Sequence, residues 1–139
     1  KQRASMIVCS DKVNQLRHLG FLKNKAEVEN HMKKHADLVR PKFEAAFNAL
    51  DAMSPEIGNY KKPTGGYFIS FNASKPIAKR VIELCKEAGV LITPAGSTYP
   101  HFNDPQDSNI RLAPTFLGLD DLKEAMEVFT TALKIAFEE

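Results

Sequence analysis

The residues best placed to do chemistry in this sequence gather near its end. Ser108-Asn109-Ile110-Arg111-Leu112-Ala113-Pro114-Thr115 reads as a short strand, Asn109 to Leu112, stopped by Pro114 and carrying one arginine inside an apolar run. A guanidinium in such a place costs free energy unless an anion meets it. Just upstream, Thr93-Pro94-Ala95-Gly96-Ser97-Thr98-Tyr99-Pro100 is a loop of turn formers and small polar groups. Beside a strand arginine, such a loop makes a pocket for a small carboxylate, because the planar guanidinium fork matches a carboxylate with two parallel hydrogen bonds. Two other roles for Arg111 stay open at this point: pairing with an internal Asp or Glu, or reaching solvent from an edge strand.

Other polar groups read more plainly. His31 and His35 stand i, i+4 and could share a metal, but no Glu follows His31 and no third ligand offers itself, so they read as exposed helix histidines. Asp104 and Asp107 lie on a proline-containing loop, where turn formation explains them better than paired catalytic carboxylates. Asn14, Gln15, Arg17 and His18 read as a solvated helix face. Gly65-Gly66 forms either an ordinary turn or a place where another chain or a ligand comes close. Cys9 and Cys85 are far apart in sequence. Reduced thiols, with Cys85 buried in a helix, are the expectation, and a disulfide is the alternative. The sequence holds no phosphate-cradling glycine motif before a helix, no Cys/His metal spacing and no nucleophile elbow, so it shows no catalytic group of its own.

A frame must hold these residues. Asp11 to Gly20 makes a helical turn or two, with Ser10 or Asp11 as N-cap and Gly20 as terminator. Asn24 to Met53 is the longest periodic segment: Val28, Met32, Ala36, Val39, Phe43, Phe47 and Leu50 step by three or four, and Asn24 with Glu27 forms a capping box. Pro41 predicts a kink near Asp37 to Arg40. Pro55 to Pro63 reads as a loop, and Tyr67 to Phe71 as a first strand. Ser74 to Ala88 reads as a helix capped by Ser74 or Asn72, with Pro76 in its first turn. Val90-Leu91-Ile92 reads as a second strand, and Thr93 to Ser108 as a long loop of the kind that is commonly functional. Leu119 to Glu139 is the last helix, capped by Asp120 or Asp121, with Leu122, Met126, Phe129, Leu133 and Phe137 as its stripe. The expected fold class is α/β, in an α+β two-layer form: a short three-stranded sheet packed against about three helices.

With 139 residues, 43% of them hydrophobic and 26% charged, the chain has the size and composition of one globular domain. A net charge of +2 with scattered lysines argues against a nucleic-acid partner. No apolar run approaches the roughly 18 residues that a membrane span needs, and Met6-Ile7-Val8-Cys9 is too short for a signal peptide. A cytoplasmic location is therefore expected.

The run Pro94-Ala95-Gly96-Ser97 followed by Asn109-Ile110-Arg111-Leu112 resembles the end of the small domain of fold-type I pyridoxal-phosphate aminotransferases. There, a small-residue loop precedes a strand arginine that grips the substrate's α-carboxylate. Thr64-Gly65-Gly66-Tyr67-Phe68 resembles that family's G-G-x-F strand opener. Gly96-Ser97-Thr98-Tyr99-Pro100, with Asp104-Pro105 and Asn109 to Pro114, is similar to a bacterial aspartate-aminotransferase-like branch. The likeness runs from about Ser10 to the C-terminus.

The resemblance implies a connector over 1–20, from a large domain that this sequence does not contain, and a C-terminal small domain over 21–139. It implies Arg111, Gly66, Ser97 and Tyr99 as substrate-binding residues, with Tyr67 also near the mouth. The Schiff-base lysine and the pyridoxal 5'-phosphate site would belong to the large domain, leaving no catalytic or cofactor-binding residue here and no activity for this piece alone. The whole enzyme would move an amino group between an amino acid, aspartate or another dicarboxylate, and a 2-oxo acid, as a homodimer. The Thr93 to Pro100 loop would close over substrate and exclude water. The sequence singles out no second arginine for a distal carboxylate, and Arg17 is no more than a guess. Two readings outside this chemistry remain: the ligand-sensing domain of an aminotransferase-like transcriptional regulator, and a non-catalytic α+β interaction module.

Overall fold

The computed structural model describes residues 11–139. The expectations that fall on Lys1 to Ser10, including a Ser10 cap and any pairing of Cys9, lie outside the described residues. In chain order the elements are α1 (Lys12–Leu22), α2 (Lys25–Asp51), β1 (Gly58–Tyr60), β2 (Ile69–Ala73), α3 (Ala78–Glu87), a 3₁₀ turn (Pro100–Phe102), β3 (Asn109–Leu112) and α4 (Leu119–Glu138). They fall into two compact units, Lys1–Leu38 and Val39–Glu139.

In the first unit, Asp11 caps α1 by accepting from the Asn14 amide at 3.0 Å. The polar run Asn14 to His18 is exposed, as a solvated face should be. Gly20 does not end α1. The helix runs on to Leu22 and stops where Lys23 takes φ 47° and returns its amide to the Leu19 carbonyl. Asn24 then caps α2 through the Glu27 amide, 3.1 Å away. His31 is exposed and meets the Phe21 ring edge-on at 5.2 Å. Among the described residues no three His, Cys, Asp or Glu side chains could hold a metal ion. Pro41 lies inside the continuous helical span of α2.

The second unit is built on an antiparallel sheet in the order β1-β2-β3. Ile69, Phe71 and Ala73 of β2 are buried and alternate with exposed Ser70 and Asn72, the period of a half-covered strand. In β3, Ile110 and Leu112 are buried beside them. Helices close the second layer: Val81 and Cys85 from α3, Leu122, Met126, Phe129 and Leu133 from α4, and Ala46 and Leu50 from α2. Phe71 and Phe129 meet edge to face at 5.9 Å, in the centre of that core. Burial pushes the Cys85 thiol up to about 11, so it stays neutral and apolar near pH 7. The architecture is the expected two-layer α/β one.

Its strands are not all the expected ones. Val90-Leu91-Ile92 forms no strand. Val90 bonds back to Cys85 in the turn that ends α3, and Leu91 is 82% exposed. The third strand is instead β1, inside the stretch expected to be loop. Gly58 makes it possible: a Cβ there would lie 2.5 Å from both the Asn72 carbonyl oxygen and the Phe71 ring. β1 is fastened to α2 by Tyr60, which stacks on Phe47 at 5.9 Å and donates to Asp51 at 2.6 Å. The cap expectations for α3 and α4 also fail. Pro76 precedes α3, whose N-cap is Ile77, and Gly118 rather than an aspartate caps α4, with Asp120 and Asp121 in its first turn. β2 begins at Ile69, later than expected, because Tyr67 and Phe68 belong to the approach.

Phe129→Ala should cost about 3–5 kcal/mol, the range for deleting a buried aromatic that leaves a cavity. Urea unfolding would read it as a lower midpoint at unchanged slope. A loss below about 1 kcal/mol would show that the Phe71–Phe129 pair is not the centre of this core.

Candidate functional site

Arg111 follows from the alternation of β3. Because Ile110 and Leu112 turn to the helices, Asn109 and Arg111 share the other face. The register sets Arg111 opposite Ser70, and Asn109 opposite Asn72. The guanidinium lies 4.7 Å over the Phe68 ring, a cation–π contact that holds its plane. Its Nε is buried and has no hydrogen-bond partner, the single side-chain atom of that kind among the described residues. Internal pairing with an Asp or Glu is not seen there, whereas Arg80 engages both Glu139 and Glu83. A buried N–H donor without an acceptor is rare because desolvating it costs about 1–3 kcal/mol. A cleft of about 660 Å³ lies between β3, the Ala88 to Thr93 stretch and α4, with Arg111, Leu112, Leu91, Phe116, Met126 and Phe129 in its lining.

The loop before β3 has its own internal logic. Gly96 takes φ 78°, and a Cβ there would meet the Phe102 carbonyl oxygen at 2.2 Å, so both the backbone and the space demand glycine. Thr98 Oγ1 donates to Asn109 Oδ1 at 2.7 Å. Asp104, 8% exposed, accepts from the amides of Gln106, Ser108 and Asn109 at 3.0, 2.9 and 2.8 Å. Burial alone would raise its pKa, but these backbone hydrogen bonds outweigh it and hold the carboxyl below its ordinary range. Asp107 lends its carboxylate to the Lys79 amide at 3.2 Å, supplying the cap that α3 lacks in its own flank. Both aspartates are thus turn and cap formers.

The other residues named from sequence are placed less tightly. Ser97 is half-buried and Tyr99 is 38% exposed. They flank Thr98, so its bond to Asn109 brings the loop to the start of β3. Gly66 takes φ 90° with open space around it, the left-handed geometry of a turn. Phe68 carries the chain from that turn to Arg111. No hydrogen bond or ring contact links Gly66, Ser97 or Tyr99 to Arg111 among the described residues. Tyr67 is 51% exposed. Sequence reading missed Phe68 and Asn109. Phe68 was discoverable, because it follows the glycine pair and enters the strand beside β3.

The three-stranded antiparallel sheet backed by helices is an arrangement this chain shares with solved aminotransferases. The chain belongs to the aspartate amino-transferase family, which it matches over residues 1–139. It is 41% identical over 131 residues to a protein of Mycolicibacterium smegmatis assigned as an aminotransferase, covering 93% of this chain and 31% of that one. It is 40% identical over 131 residues to an aspartate aminotransferase of Corynebacterium glutamicum, covering 93% of this chain and 30% of that one. A solved structure from Corynebacterium diphtheriae, assigned as an aminotransferase, superposes with a TM-score of 0.91 at 40% identity, over 98% of this chain and 35% of that one. The chain therefore spans about a third of the length of these relatives.

Asp104 gives this loop a signature in acid. Its folded pKa is lowered, so its contribution is fully present above the unfolded value near 4 and is lost as pH falls through the lower folded one. Asp104→Asn should be less stable than the parent by about 1–3 kcal/mol at neutral pH. The gap should close as the parent is acidified below about pH 4. Parallel stability curves for the two proteins down to about pH 2 would remove Asp104 as the loop's organiser.

Proposed function

We propose that this chain is the C-terminal substrate-binding and closure domain of a longer pyridoxal-phosphate-dependent aminotransferase, with 1–20 as connector and 21–139 as the small domain. The observation that carries it is the half-buried Arg111 of β3, which lines the cleft, lies over the Phe68 ring and has no Asp or Glu partner among the described residues. The substrate's α-carboxylate pairs with the terminal nitrogens of the guanidinium, since Nε has no exposed surface. A bidentate pair there fixes the orientation of the amino acid and with it the Cα–H bond to be broken. Ser97 and Tyr99 would line the mouth, and Gly66 would let the backbone approach. Loop closure over the pair excludes water and strengthens it.

This reading assigns none of the described residues to pyridoxal phosphate. The lysines among them are exposed, except half-buried Lys42, which donates to the Thr115 carbonyl. The cofactor, which supplies the electron sink for amino transfer, would be held by the rest of the enzyme, and no step through it is drawn from this chain. Aspartate or another dicarboxylate as donor, a 2-oxo acid as acceptor, a homodimer and a cytoplasmic setting complete the reading. It is supported by the family and by the aspartate aminotransferase among its relatives.

In the full-length enzyme loaded with pyridoxal phosphate, aspartate or glutamate should shift the absorption of the bound cofactor. Arg111→Ala should lose about 2–5 kcal/mol in kcat/KM, the cost of breaking a desolvated charge pair. Its fold should persist, since among the described residues the side chain's internal contact is the Phe68 ring rather than an ion pair. Equal kinetics for variant and parent on a dicarboxylic amino acid would overturn the assignment.

A further inference from the structure

We propose that Asn109 is a positioning residue that couples the Thr93 to Pro100 loop to Arg111, so that one buried amide sets both parts of the carboxylate pocket. The inference rests on the reading of Arg111 as the carboxylate binder. Asn109 is 8% exposed and its side chain is fully used. Nδ2 donates to Ser70 Oγ at 2.9 Å and to Asn72 Oδ1 at 2.7 Å, while Oδ1 accepts from Thr98 Oγ1 at 2.7 Å. Its backbone amide is held by Asp104 at 2.8 Å. An amide offers two donors and one acceptor oxygen, and every one is engaged.

The geometry ties two sides together. Ser70, which takes one Asn109 proton, is also the cross-strand partner of Arg111. Thr98, which gives a proton to the other end, sits between Ser97 and Tyr99. Among the described residues, Thr98 to Asn109 is the one side-chain hydrogen bond that joins this loop to the sheet. Thr98 itself is exposed, so its bond adds little to global stability, where surface bonds are worth least. What the bond does fix is the position of an exposed loop relative to the strand that carries Arg111. A loop docked in advance spends less free energy on ordering when substrate arrives.

The test is steady-state kinetics of the full-length, cofactor-loaded enzyme on a dicarboxylic amino acid, with melting temperature and amide exchange measured alongside. Thr98→Val keeps shape and removes the donor. It should raise KM about tenfold, with kcat changed less than about twofold, the scale of one hydrogen bond lost from binding. Exchange of the Ser97 and Tyr99 amides should quicken. Thr98→Ser keeps the donor and should restore KM to within about twofold of the parent. Thr98→Val should add nothing in an Asn109→Ala background, because Asn109→Ala already breaks that link, together with the bonds to Ser70 and Asn72. Should Asn109→Ala fail to fold, the two Thr98 variants decide alone. A KM unmoved by Thr98→Val, while Arg111→Ala raises it, would overturn the coupling and leave the arginine's role standing. A KM unmoved by Arg111→Ala would bring down the carboxylate reading itself, and this inference with it. A purely structural Asn109 would lower the melting temperature of its variants without moving KM in the folded enzyme.

Discussion

Everything in this domain turns on the register between β2 and β3. A strand shows alternate faces, so a slip of one residue would exchange Ile110 and Leu112 for Asn109 and Arg111. The core would then hold a guanidinium, and the open face would hold two aliphatic side chains. The aligned pairs Ile69 with Leu112 and Phe71 with Ile110 prevent this, because both members of each pair are buried against the helices. The hydrophobic effect therefore sets the arginine's position from the opposite side of the sheet. Phe129, through its edge contact with Phe71, acts on Arg111 without touching it.

On the open face the forces are of another kind. Arg111 is bounded by an aromatic ring below and by Ser70 across the ladder. Neither is an anion, and the ring's attraction for a cation is worth only about 0.5–2 kcal/mol. The site stays short of one strong acceptor, whereas every polar atom of the Asn109 side chain next along that face is satisfied. The contrast between one complete amide and one incomplete guanidinium, two residues apart, separates scaffold from binding group. On the proposed reading, a carboxylate meeting the terminal nitrogens would offset the cost of holding the guanidinium half out of water.

Much of the fold was legible in the sequence, and for reasons that show where legibility ends. The long stripes of α2 and α4 declare themselves because period and length agree over many turns. The caps are local chemistry: Asp11, one of the two residues read as cap of α1, accepts from the Asn14 amide, and of the expected Asn24–Glu27 box the Asn24 half forms, while the Asn24 amide goes to Leu22. β1 was hidden because Gly58-Asn59-Tyr60 has no strand pattern of its own. It is a strand only because Phe71 and Asn72 lie against a residue without a side chain. Val90-Leu91-Ile92 misled in the opposite sense. Three consecutive apolar residues satisfy a strand pattern, but this stretch makes no ladder, and Leu91 stays in solvent. The cap of α3 was unreadable because it comes from Asp107, far along the chain.

The candidate site divides along the same line. Arg111 could be named because an arginine between isoleucine and leucine contradicts its surroundings, and such contradictions collect where function is. Asn109 could not, because an asparagine at the start of a strand is unremarkable until Thr98, Ser70, Asn72 and Asp104 converge on it in space. Those four side chains come from three separate stretches of sequence, and no local period or motif joins them. Convergence of that kind is how a fold turns one conspicuous residue into a site. The charge provides the attraction, and a buried, fully bonded neighbour supplies the rigidity that makes the attraction directional. Without that neighbour the loop from Thr93 to Pro100 would have no side-chain tie to the sheet among the described residues, and on the proposed reading one wall of the carboxylate pocket would be unset.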